Sequence, residues 1–163
     1  MRSTALLLIG ALTLFAAGDY SNRRAPGFSL ADSHFQQHDT QDYRGKVLLI
    51  DFMQTTCPVC RQLTENLLKV KAKYGDKIAV LSILTLPDNY ATVDSFAAEH
   101  KIPWPMLLDE GQVMMSYLKL TPANTTVHFP HLFIVDGKGT IRSDFEGAED
   151  AAAISAEIDK LLK

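Results

Sequence analysis

The nine residues GKVLLIDFM (45–53) limit the possible folds more than any other stretch. The run is too short for an isolated helix, is apolar at nearly every position and is rich in β-formers. It reads as a buried central strand. The segment directly after it, PVCRQLTENLLKVKAKYG, is helical in pattern. Leu63, Leu67, Val70 and Tyr74 recur at helical spacing, Pro58 suits a first turn, and Gly75 suits a C-terminal stop. A strand that hands over to an amphipathic helix within a few residues is the start of a layered α/β fold.

The rest of the chain continues that alternation. KIAVLSILTL (77–86) reads as a second buried strand, and ATVDSFAAEHK (91–101) as a helix with Val93, Phe96, Ala97 and His100 on one face. PMLLD (105–109) is a third, short strand, and EGQVMMSYLKL (110–120) a short helix. HLFIVDGKGTIRSDF (131–145) carries a hairpin signal at Asp136-Gly137-Lys138-Gly139. The closing EDAAAISAEIDKLLK is a helix with Ile154, Ile158, Leu161 and Leu162 as its inner face. Parallel units followed by an antiparallel hairpin predict a mixed central β-sheet with helices on both faces.

No repeat or second domain interrupts this order. A chain of 163 residues, 47% hydrophobic and 21% charged, suffices for one domain with its own core. A net charge of −3 argues against nucleic acid as a partner, and Lys69, Lys71 and Lys73 read as a solvated helix face. The first eighteen residues differ. Arg2, an apolar run from Ala5 to Ala17 and the small residues Ala16, Ala17 and Gly18 form the pattern of a secretory signal peptide (1–18). The run falls short of the ~20 residues that span a bilayer, so anchoring by an uncleaved signal is the lesser reading. Residues 19–26 then read as a polar leader and 27–163 as the domain.

The only two cysteines, Cys57 and Cys60, stand at the junction of strand and helix. As a structural staple they would close a very short loop, worth roughly 2 kcal/mol against ~3 for a fifteen-residue loop. As a metal site they would need further ligands, and no second CxxC exists. As a redox pair they use what the position offers. Free N–H groups and the positive end of the helix dipole favour a thiolate. Cys57 would then be the exposed nucleophile, and Cys60, one turn in, would resolve the mixed disulfide.

VLLIDFMQTTCPVC, the later FPHLFIVDGKGTI and the closing amphipathic helix together resemble the thioredoxin fold. APGFSLADSH…YRGKVLLIDF is similar to the opening segment of exported thioredoxin-like proteins, the TlpA/ResA-like and broader redoxin group. The resemblance covers residues 25–163. It implies an α/β thioredoxin fold with an N-terminal extension and a periplasmic or otherwise extracytoplasmic thiol-disulfide oxidoreductase. That enzyme would be a monomer with no cofactor beyond the Cys57–Cys60 disulfide. Its partners would be protein disulfide or dithiol substrates and a membrane-borne or periplasmic redox carrier. The resemblance places Pro130 at the family's cis-proline. The backbone of Phe129 and Pro130 would lie against the CxxC and pair with an extended substrate segment. Pro58 and Val59 form the dipeptide that faces substrate and helps set the potential. Asp51, six residues before Cys57, matches the buried acid of thioredoxin and is expected to relay protons with a raised pKa.

Several positions depart from the family pattern. MQTT replaces a Trp-containing segment, and Leu63 stands where many relatives have an acid, which favours an Asp51-based relay. LTPANTTV (120–127) is longer than the usual link and is either a substrate-facing loop or a surface insertion. Two other functions compete. A peroxiredoxin-like thiol peroxidase wants Thr or Ser three residues before its cysteine, where this chain has Gln54. A copper-binding thioredoxin-fold chaperone would use Cys57, Cys60 and His128, since thiolate and imidazole suit copper, but such proteins usually separate the cysteines by three residues. His128 and His131 otherwise read as ordinary polar residues flanking Pro130. His34, His38 and His100 read as surface or boundary residues, and Trp104 as a packing residue.

Overall fold

A computed structural model describes residues 20–163. The expected signal segment, residues 1–18, lies outside the described residues. In chain order the elements are β1 (Arg23–Arg24), β2 (Ser29–Ala31), β3 (Gln37–Asp39), β4 (Val47–Met53), α1 (Pro58–Tyr74), β5 (Ile78–Thr85) and α2 (Tyr90–His100). β6 (Met106–Asp109), α3 (Gln112–Leu118), β7 (His131–Val135), β8 (Thr140–Glu146) and α4 (Ala151–Leu161) complete them.

The main sheet runs β1-β8-β7-β4-β5-β6. β4, β5 and β6 are parallel, whereas β7 returns antiparallel to β4, β8 to β7 and β1 to β8. Every residue of β4 and β5 is buried, which explains why both strands read as nearly continuous apolar runs rather than alternating ones. On one face, Val47, Leu49, Val80, Leu132 and Ile134 pack under Leu63, Leu67 and Val70 of α1 and Ile154 and Ile158 of α4. Val93 and Phe96 of α2 continue this layer against Met53, Leu84 and Cys60. On the other face, Leu48, Ile50, Phe52 and Phe133 meet Tyr117 and Leu118 of α3 and Phe28 of the opening segment. The fold is therefore an α/β thioredoxin-like fold with a mixed central sheet, helices on both faces and an N-terminal β-hairpin extension.

The β7–β8 turn forms where the sequence places it. Asp136 Oδ1 accepts from Lys138 N–H at 3.0 Å and Thr140 N–H at 2.9 Å, and Gly139 takes φ +85°. Gly137 passes so close to Gly45 that a Cβ would sit 3.0 Å from its carbonyl carbon. α4 starts at Asp150, whose Oδ1 accepts from Ala153 N–H at 2.7 Å. Asp150→Ala is expected to cost about 1 kcal/mol, read as a lower urea midpoint with an unchanged slope.

Three expectations need correction. Residues 19–26 are not merely a leader, because Arg23 and Arg24 pair with Ile141 and Thr140. Tyr20 N–H and the Ser21 hydroxyl donate to Asp144 Oδ1 at 3.2 and 3.0 Å, so the described fold begins before residue 27. His38 is not a surface residue. It is buried in the unexpected β2–β3 hairpin, with Nε2 3.1 Å from Asp32 Oδ2 and Nδ1 3.0 Å from the Tyr43 hydroxyl. Leu162 lies past the end of α4 and is 40% exposed, so Ile154 and Ile158 carry that helix's inner face.

Candidate active site

The site forms where β4 ends. Asp51, Phe52 and Met53 complete the strand, Gln54–Thr56 turn, and Cys57 caps α1 with Pro58 in its first turn. Cys57 and Cys60 are joined in a disulfide with Cα atoms 5.2 Å apart. Cys57 is partly exposed, and Pro58 and Val59 face solvent. Cys60 is fully buried among Met53, Leu84, Val93, Phe96 and Met106. Cys60 N–H points at Cys57 Sγ from 3.2 Å, so a free helix-end donor already faces the sulfur. An incoming group can reach only one sulfur of the pair, Cys57.

Opposite the pair lies the chain before β7. The Phe129–Pro130 peptide is cis, and Phe129 O is 3.9 Å from Cys57 Sγ. Phe129 packs against the cluster that holds Cys60. The next residue, His131, is buried and stacks on Phe133 at 4.6 Å, with Nε2 3.3 Å from Asp144 Oδ2. Burial alone would raise the Asp144 pKa. The contacts of its carboxylate with His131, Ser21 and the Tyr20 N–H outweigh burial and hold it below the usual range. The start of β7 is thus tied to β8 and to the N-terminal segment directly beside Pro130.

Asp51 points to the same face of β4 as Val47, Leu49 and Met53 and so lies beneath α1, between residues that touch Leu63 and Cys60. It is fully buried. Oδ1 has no partner, and Oδ2 accepts only from the Ser82 hydroxyl, at 3.4 Å. Trp104 Nε1 in turn donates to Ser82 Oγ at 3.0 Å, so Trp104 packs and also orients the hydroxyl. Burial pushes the Asp51 carboxyl up to about 7, and the hydrogen bond from Ser82 only partly opposes this. A carboxyl with that value holds or gives up a proton close to neutral pH.

The sequence reading therefore brought together Cys57, Cys60, Pro58, Val59, Phe129, Pro130 and Asp51 around one strand end. It missed Asp88, which holds the turn before Cys57 through Thr55. It also missed the Ser82–Trp104 pair on Asp51 and the His131–Asp144 contact. No group of three His, Cys, Asp or Glu side chains gathers as a metal site among the described residues, and His128 is exposed, 3.9 Å from Glu146. Leu63, at the position of the missing acid, is fully buried in the core under α1. The 120–127 loop is mostly exposed, closed by a Thr121–Asn124 bridge.

A thioredoxin-like sheet with a CxxC disulfide at the end of its central strand defines the class of thiol-disulfide oxidoreductases. Within that class the chain belongs to the AhpC/TSA family, whose model matches residues 21–144. It is similar to the thioredoxin-like protein YneN of Bacillus subtilis, 26% identical over 144 residues, covering 87% of this chain and 81% of that one. It is also similar to the thiol-disulfide oxidoreductase ResA of Geobacillus kaustophilus, 23% identical over 140 residues, covering 84% and 75% of the two chains. In fold it matches a thiol:disulfide interchange protein of the thioredoxin family from Chlorobium tepidum. The TM-score is 0.76 at 18% identity, with 86% of this chain and 97% of that one covered.

Proposed function

We propose that this chain is an exported thiol-disulfide oxidoreductase that exchanges disulfides with protein substrates through Cys57 and Cys60. The observation that carries the reading is the asymmetry of the pair. One sulfur is partly exposed at a helix N-terminus beside the cis Phe129–Pro130 peptide, and the other is fully buried above a carboxyl poised near neutrality. In the reduced protein the Cys57 thiolate attacks a substrate disulfide, forming a mixed disulfide and releasing one substrate thiolate. Asp51 takes the Cys60 proton, and Cys60 attacks Cys57 Sγ. That step forms the internal disulfide seen here and releases the second substrate thiol. The substrate gains two electrons and the pair loses two, and a membrane-borne or periplasmic thiol carrier restores the dithiol. Phe129 and Pro130 present backbone to the extended substrate, and Pro58 and Val59 meet it from the helix side. The protein works as a monomer without a cofactor. Export rests on the signal-like pattern of residues 1–18.

The test traps the intermediate. Cys60→Ser, incubated with insulin as the disulfide probe, is expected to accumulate a mixed disulfide that a small dithiol releases. If no such species forms while Cys57 remains alkylatable, the reading is wrong. Rapid turnover of hydrogen peroxide in place of disulfide exchange would favour the peroxidase instead. Gln54 speaks against that chemistry, because its side chain is directed to Leu86 O at 3.3 Å.

A further inference from the structure

Asp88 lies in the loop between β5 and α2 and is 5% exposed. Its carboxylate faces the turn that delivers Cys57. Thr55 N–H donates to Oδ2 at 3.0 Å, and the Thr55 hydroxyl donates to Oδ1. Thr92 Oγ1, in the first turn of α2, lies 3.2 Å from the same Oδ1. Thr55 is also held from the opposite side, where Arg61 Nε on α1 donates to Thr55 O at 3.2 Å. Two residues on, Cys57 N–H closes the turn onto Gln54 O at 3.2 Å. The MQTT segment is thus clamped between an anion and a cation, and Thr55 is the residue both of them grip.

We propose that Asp88 is a positioning residue for Cys57: it fixes the turn that sets the sulfur at the helix N-terminus, and its negative charge opposes formation of the thiolate there. Two residues of chain span at most ~7 Å, and the 3.0 Å hydrogen bond and the cysteine side chain extend that, so the carboxylate lies within roughly 14 Å of the sulfur. At that separation one unit charge shifts a thiol by about one pH unit. Arg61 acts in the opposite sense. The other ionisable groups bearing on this end of α1 are Asp51 on β4 and the exposed His128–Glu146 pair beside Phe129. A stabilised thiolate favours the dithiol state and makes a pair more oxidising. Asp88 therefore biases Cys57–Cys60 toward the reducing side, a direction the Pro-Val dipeptide leaves open. The inference rests on the thiol-disulfide reading and refines it.

The experiment uses Cys60→Ser, in which Cys57 is the only thiol, and follows thiolate absorbance against pH. Asp88→Asn and Asp88→Ser are each expected to lower the Cys57 midpoint by about one unit. Arg61→Gln should raise it, and Asp88→Glu should stay near the parent. Neutral variants whose midpoint moves by less than about 0.2 units would overturn the proposal. So would an Asp88→Glu shift as large as that of Asp88→Asn. If Asp88→Asn does not fold, Asp88→Ser gives the same reading with a smaller neutral side chain. The titration needs no turnover. A protein that exchanges no disulfide would sink the proposed function and leave this result standing, and the reverse also holds.

Discussion

Cys57→Ser is expected to lower kcat/KM for a protein disulfide by about 10³-fold or more, because no second group can take over the attack. The serine hydroxyl is not ionised at the pH where a helix-end thiol is, so the favourable N–H groups there have no anion to stabilise. Cys60 cannot substitute, since on α1 it is fully buried against the sheet and α2. The loss in kcat/KM should be out of proportion to the loss of stability, which against the oxidised protein is at most roughly 2 kcal/mol, as the disulfide removed closes a loop of only four residues. A residual rate within tenfold of wild type would mean that the exposed sulfur is not the nucleophile.

Asp51→Leu is expected to make the protein more stable above neutral pH. The carboxyl has a folded-state value of about 7 against an ordinary 3.8. Between those values the folded state binds a proton that the unfolded chain has released, so stability falls as pH rises through that window. The difference of about three units corresponds to about 4 kcal/mol once pH passes the folded value. The stability that the neutral acid allows is complete below pH 4 and gone by pH 8. Leucine has no charge to bury and removes the unpartnered Oδ1. Urea unfolding at pH 8 should therefore favour the variant by up to about 4 kcal/mol, with most of that gap closed near pH 4. An equal gap at both pH values would show that burial does not perturb Asp51. In the proposed mechanism Asp51 accepts the Cys60 proton, so the same variant should also flatten the rise of the resolving step through pH 7.

The fold was legible wherever burial alone decides structure. β4 and β5 are buried on both faces, so Val47–Met53 and Ile78–Thr85 appear as nearly continuous apolar runs, broken by Asp51, Ser82 and Thr85. Pro58 and Gly75 bracket α1 through local backbone preference alone. The short strands were not legible. Arg23–Arg24 is a strand only because β8 offers a partner, and nothing in two arginines announces it. The β2–β3 hairpin depends on Asp32, whose carboxylate gathers His34 N–H, Gln36 N–H and His38. In sequence that segment is a scatter of polar residues. The dithiol and Asp51 were readable because they sit at fixed offsets along one strand and one helix. Asp88 was not, since its link to Thr55 crosses 33 residues and no local pattern connects them.

The hairpin that escaped the sequence reading has a further consequence for how the protein behaves beside copies of itself. A sheet is most open to intermolecular pairing at its outer strands, whose free N–H and C=O groups can template another chain. Here one border is β1, two arginines long, and charge discourages stacking there. The other border is β6, four residues long, and the hairpin lies along it with Asp32 bridged to Leu107. The strands with the greatest tendency to aggregate, β4 and β5, stand in the interior of the sheet with a neighbour on each side. Among the described residues, the sheet exposes no long apolar border on which a fibril could nucleate.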